Sequence, residues 1–406
     1  MLFFFDDSML LLFLSMAKLQ KLMQKATGNI IKTKEWSSIN KKYRKGIMSR
    51  ERILNIQSLR FFFIMLVVFS HISYNTTSLG ACGVCFFFVL SGFILSWAYG
   101  ERIALNSFST PGFLAHQMVK MYPLYVVMIV VMAVYFHCVG IYDVSLKDFA
   151  VNLFLLQTWF PHSVRPFVID SPTWFLCDIV VCYICFRTLY RTIMRSGRRR
   201  LLVLSAIVLA AYSSAVAFMP ECNEGDLYDF PVFRLVDFSM GIILFRFYVS
   251  GKGRALSKRT LALSAGMGNS ICAAFLIVLA VMFYLFIFNN KSAFRYGCLF
   301  LPYMMALIFW FASTDKRNDL FVNKILHKPW MLSLGGLTME VFIIHMFVCF
   351  VVYDFSVQVL RMERTLGVKL CEKVAIILLT LLLSMIAKAA LKKWSGWIGK
   401  WRIYKL

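Results

Sequence analysis

Charge is scarce in this sequence, and acid is scarcer still. Only 16% of the 406 residues are charged, with 20 Asp and Glu against 44 Lys and Arg. A soluble domain carries about a quarter charged residues, so a water-covered fold of this length is excluded. A Gly-rich phosphate loop, an HExxH helix and a GxSxG elbow are all missing, which leaves P-loop and soluble-hydrolase mechanisms without support. No ten-residue segment alternates as a membrane β-barrel requires, and no repeat of 20–50 residues is visible. Cysteine is present but not arranged for chemistry. Most of the 11 lie inside apolar runs, and neither Cys82-x-x-Cys85 nor Cys182-x-x-Cys185 has a polar loop around it. They read as small hydrophobes, and no metal site is expected.

What is abundant is apolar sequence, 60% of the chain, in runs of about twenty residues. This is the signature of an all-α polytopic membrane protein in a lipid bilayer. About ten spans can be placed, at 58–78, 82–99, 121–139, 174–190, 201–219, 232–249, 271–288, 296–313, 331–353 and 374–391. The net charge of +24 is spread over the loops between them, which marks topology and not a nucleic-acid surface. Arg187, Arg191, Arg195 and Arg198–Arg200, then Lys252, Arg254, Lys258 and Arg259, then Lys316, Arg317, Lys324 and Lys328 read as cytoplasmic. The segment 220–231, with Glu221, Glu224, Asp226 and Asp229, reads as external. Lys291 and Arg295 run against this pattern.

Both termini then lie in the cytoplasm. Residues 1–57 form a basic segment whose first 17 residues read as an interfacial helix or as an upstream extension before a start at Met48. Residues 58–391 form the membrane domain and 392–406 a basic tail. Within the external segment 140–173, the run DFAVNLFLLQTWF is short for a span and reads as re-entrant or interfacial.

The run LRFFFIMLVVFSHISY sets Arg60 and His71 on one helix face, about 16 Å apart along the axis. An ionisable residue inside a span is costly and points to function. Snorkelling of Arg60 and a helix-to-helix bond from His71 are the structural alternatives. Counting along the helices sets His71 near the bilayer midplane, level with Glu340 and His345 of the ninth span. His116, His137, His162 and His327 read as surface histidines.

Arg-x10-His followed by Gly83-Val84, Phe87-Phe88 and Leu90-Ser91-Gly92-Phe93 resembles the opening of the membrane acyltransferase 3 family. Other stretches resemble its later motifs. These are Met121-Tyr122-Pro123 after a basic stretch, SPTWFLCD around Trp174 and Asp178, Arg234-x-x-x-Phe238-x-x-Gly241, and Leu334-Gly335 with Thr338-Met339 and His345. Two departures stand out. Gln117 and Lys120 replace a pair of arginines, and Met339 replaces the common Tyr.

The resemblance implies a bacterial inner-membrane O-acyltransferase. It would carry an acyl group, commonly acetyl, from acyl-CoA to a hydroxyl of an external or lipid-linked glycan or polysaccharide, with no permanently bound cofactor. His71 would be the general base, with Glu340 to orient it. Arg60, Lys120 and the Gln117 position would hold the donor, and Ser91, Asp178, Arg234 and His345 would face the acceptor. Two local readings stay open: Asp178 either meets an acceptor or pairs with Arg234, and Arg234 itself can pair with Asp237 at i+3. A transporter or flippase for a lipid-linked glycan or small anion is the alternative. It lacks the paired, Gly/Pro-interrupted helices usual for that class.

Overall fold

In a lipid bilayer every backbone amide must be satisfied within the chain, and the apolar runs answer this by becoming helices. The computed structural model describes residues 51–73, 77–159, 169–218, 228–289, 300–361, 363 and 365–399, and no strand occurs among them. The basic segment before residue 51, His162, Glu221, Glu224, Asp226, Lys291, Arg295 and the last residues of the tail lie outside the described residues.

The helices follow in order as α1 Leu54–Ile72, α2 Thr77–Ala104, α3 Thr110–Val139, α4 Leu146–Leu153, α5 Trp174–Arg195, α6 Arg198–Phe218 and α7 Pro231–Val249. Then come α8 Gly251–Ala262, α9 Ala265–Asn289, α10 Phe300–Ser313, α11 Phe321–Leu326, α12 Pro329–Gly335, α13 Thr338–Asp354 and α14 Leu366–Gly399. Six described helices are long and apolar enough to cross a membrane: α1, α2, α3, α9, α13 and α14. Of the other expected spans, α10 is shorter, and α5 and α7 carry more charge. The chain is thus a helical multi-pass membrane protein. Exposed Leu276, Ile277 and Val281 on α9 and Leu378, Leu382 and Ile386 on α14 form outer flanks suited to acyl chains.

The bundle has two ends. At the basic face, Lys316 beyond α10 meets Glu51 at 2.8 Å and holds that carboxyl below its usual range. Asp315 accepts from the Asn55 amide at 2.7 Å, and Lys388 of α14 donates to the Gly336 carbonyl at 2.6 Å. The far face gathers the end of α1, the short α4 and the α13–α14 turn. There Tyr135 bonds Asp354 and Ser356 bonds Glu372.

Helix α2 lies at the centre, against α1, α5, α7 and α10. Its crossing with α7 is unusually close. A Cβ on Gly92 would fall 2.0 Å from the Phe238 carbonyl oxygen, and one on Gly241 would fall 1.9 Å from that of Val89. Backbone meets backbone there, which only glycine permits. Gly335 plays the same part for α12, where a Cβ would sit 1.9 Å from the Gln57 carbonyl oxygen on α1.

Several boundaries differ from the sequence expectation, and three of them bear on the site. Helix α1 ends at Ile72 and not at 78, because Ser73 adopts an extended backbone. Helix α3 starts at Thr110, where the Ser109 hydroxyl caps the Gly112 amide and Pro111 fits the first turn. The basic stretch is therefore helical, and Pro123 lies inside the helix instead of at its start. The ninth span is broken after Gly335 and resumes at Thr338.

Candidate active site

His71 lies in the last turn of α1, at the far face and not at mid-depth, because the helix stops one residue later. It is exposed to a cavity of about 460 Å³ between α1, α13 and α14. Ser73, Cys349, Tyr353, Lys369, Glu372 and Lys373 also line this cavity. The group packed on His71 is the ring of His345, with centroids 5.3 Å apart and planes at 48°.

His345 is wholly buried. Its Nδ1 is 2.8 Å from the Phe342 carbonyl oxygen and 3.1 Å from that of Val341. Carbonyls only accept, so Nδ1 carries the proton in the neutral ring. Nε2 is then the basic nitrogen, buried and with no hydrogen-bond partner among the described residues. The backbone of α13 thus fixes one His, with its lone pair available, against a second His that opens on a cavity.

Glu340 stands elsewhere. The Gly335–Gln57 contact marks a common level on α12 and α1. From that level Glu340 is about 7.5 Å along α13, whereas His71 is about 21 Å along α1. Its electrostatic neighbour is Lys388, and its Oε2 is buried without a hydrogen bond. Glu340 therefore sits nearer the depth of Arg60 than that of His71.

Arg60 is half-buried on α1, with Tyr183 of α5 as its electrostatic neighbour. Lys120 is exposed on α3 and shares an electrostatic cluster with His116 and Arg102. Gln117 is half-buried one turn before Lys120.

Of the remaining candidates, Arg234 and Asp178 belong to a separate polar cluster. Arg234 is fully buried, donates to Asp237 at 2.7 Å, and lies 4.9 Å from the Tyr228 ring and 5.9 Å from that of Phe88. Asp178, also buried, accepts from the Thr158 hydroxyl at 2.9 Å and is an electrostatic neighbour of Arg234. Ser91 is half-buried beside Gly92, at the crossing of α2 and α7. A layer of Phe88, Phe175 and Phe342 separates this cluster from His345, with successive ring distances of 4.7, 5.2 and 6.1 Å.

Residues 53–391 match the acyltransferase domain family of type 3. The chain belongs to that acyltransferase 3 family. It is also similar to Acyltransferase MdmB of Streptomyces mycarofaciens, at 24% identity over 254 residues, 53% of this chain and 63% of that protein. Protein 2 in picA locus of Rhizobium radiobacter is 29% identical over 154 residues, 34% of this chain and 76% of that protein. The chain thus spans a little under two thirds of the length of the first of these relatives. No solved structure matches.

Within this acyltransferase 3 chain, the sequence reading left out Tyr183, Lys369 and Lys373. Tyr183 was one aromatic among many, and nothing local marks its approach to Arg60. Lys369 and Lys373 fall outside the apolar run at 374–391, whereas α14 begins at Leu366. Their i, i+4 spacing was the available signal for a shared face.

Proposed function

We propose that the protein transfers an acyl group, probed most simply as acetyl, from acyl-CoA to a hydroxyl of an external or lipid-linked glycan. The observation that carries this reading is the His71–His345 contact at the mouth of the far-face cavity, with Arg60 on the same helix below it. The basic face then lies in the cytoplasm of a bacterial inner membrane. Ten crossings fit this orientation, with α5, α6, α7 and α10 joining the six long apolar helices.

The chemistry follows from the residues. The donor's head rests at the basic face, where Arg60 offers a fixed charge and a forked set of donors to phosphate. The pantetheine arm runs up toward His71, a rise of about 16 Å. An acceptor hydroxyl enters from the far-face cavity. His71 takes its proton as the oxygen attacks the thioester carbonyl carbon, and the tetrahedral intermediate collapses with cleavage of the C–S bond. The imidazolium returns the proton to the departing thiolate. Bound neutral and facing His71, His345 orients that ring and shares the charge it gains.

The test is release of free CoA thiol by the purified protein in nanodiscs, given acetyl-CoA and a lipid-linked glycan extract. Wild type releases CoA. His71→Gln, which cannot take the proton at neutral pH, should fall by about 10²–10⁴-fold while still binding donor. His345→Asn keeps a donor for the Phe342 carbonyl but loses Nε2, and should fall less. A wild type that releases no CoA would leave a transporter as the better account. Near-normal transfer by H71Q would remove His71 from the chemistry.

A further inference from the structure

The cytoplasmic half of α5 carries a feature that neither the motifs nor the proposed chemistry uses. Arg187, Arg191 and Arg195 recur at four-residue spacing and therefore share one face. Arg187 and Arg195 are the like-charged electrostatic neighbours of Arg191. Like charges at this spacing repel, so the stripe calls for a counter-charge.

The described residues supply none to the inner two. Arg187 and Arg191 take part in no ion pair among the described residues, and the Nε of each is buried without a hydrogen-bond partner. Arg191 is nonetheless held in place. It donates at 2.6 Å to the Asn106 side-chain oxygen in the α2–α3 turn, where Asn106 takes a left-handed backbone with φ 61°. A guanidinium so positioned, with Nε unused, is prepared for an anion with several oxygens.

The stripe also leads somewhere. One turn inward from Arg187 on the same face is Tyr183, the neighbour of Arg60. Tyr183 packs on Phe113, 5.4 Å away, at the start of the helix that presents Gln117 and Lys120. A column of cations thus rises from the basic face to Arg60, beside the position where Gln117 leaves a cation missing.

We infer that Arg187 and Arg191 form a second anion site that receives phosphate groups of the donor's nucleotide head. This rests on the acyl-CoA reading above and extends it. Arg60 then holds the phosphate nearest the pantetheine arm. The stripe holds those farther out, and so makes good the charge missing at Gln117. The same oxygens could come from an anionic lipid headgroup, and the experiment separates the two sources.

Affinities of CoA, dephospho-CoA and pantetheine are measured by calorimetry on the full chain in phosphatidylcholine nanodiscs, with and without phosphatidylglycerol. Wild type should prefer CoA to pantetheine. Arg187→Gln and Arg191→Gln should each weaken CoA about tenfold and leave pantetheine unchanged. Arg187→Lys and Arg191→Lys, which keep charge and are milder on folding, should lose less than the Gln variants. Unchanged CoA affinity in R187Q/R191Q, with wild type still binding CoA, overturns the site and leaves the acyl-CoA reading standing. Loss of bound phosphatidylglycerol alone, read by native mass spectrometry, assigns the stripe to lipid and likewise overturns it. A wild type that binds no CoA overturns both.

Discussion

Replacing Gly241 with alanine tests the architecture at its tightest point. The new methyl would stand 1.9 Å from the Val89 carbonyl oxygen, whereas ordinary contact begins at 3.4 Å. Helices α2 and α7 must therefore part by about 1.5 Å at the crossing, because the obstructing atoms are backbone and no rotamer change relieves them. Overpacking of this kind costs about 1–3 kcal/mol, and a rigid backbone contact belongs at the upper end. A gap of that width also forfeits a large share of the dispersion contacts along the interface. A loss of about 3 kcal/mol should lower the melting temperature by about 3–4 °C. Thermal denaturation followed by size-exclusion fluorescence in detergent reads this directly. Gly92→Ala should cost about as much. The double variant should cost much less than the sum, since one separation relieves both clashes. Gly266→Ala is the control, with nothing within 4 Å of its new methyl, and should be neutral or slightly stabilising. Should G241A melt within a degree of wild type, the close approach would not exist.

Two further outcomes follow from the buried charges and the free thiols. Arg234→Ala strands Asp237 without its 2.7 Å partner in a buried site and should destabilise by about 3–5 kcal/mol, whereas Arg234→Met with Asp237→Leu should recover most of that in the same melting assay. Cys138 and Cys371 are exposed, free and at the far face. A membrane-impermeant maleimide on intact cells should tag both by peptide mass spectrometry, and tagging only after lysis would reverse the proposed orientation and the proposed side of donor entry.

The helical membrane class was legible from hydropathy alone, because long apolar runs have no other way to satisfy their backbone in a lipid bilayer. Helix ends were less so, because a hydropathy window cannot see a cap. Ser109 and Pro111 start α3 eleven residues before its apolar run, and so draw Gln117 and Lys120 onto a helix. The motif glycines at 92, 241 and 335 could be recognised as a pattern, yet their reason is tertiary. Each faces a carbonyl oxygen more than twenty residues away in the chain.

The site divides along the same line. Arg60 and His71 share a face by periodicity, which needs no fold. The companion of His71 does require one, and helix counting alone favoured Glu340 for its charge. Parallel packing of α12 and α13 on α1, with Gly335 seated at Gln57, decides the depths. It brings His345 up to His71 and leaves Glu340 lower, beside Lys388. Two uncharged imidazoles, one tied to backbone and one open to a cavity, can sit together in an apolar bundle where a His and a carboxylate would owe a larger desolvation cost. That difference is a physical reason for His71 to stand beside a second histidine, and it predicts that His345→Glu should be harder to fold than His345→Asn.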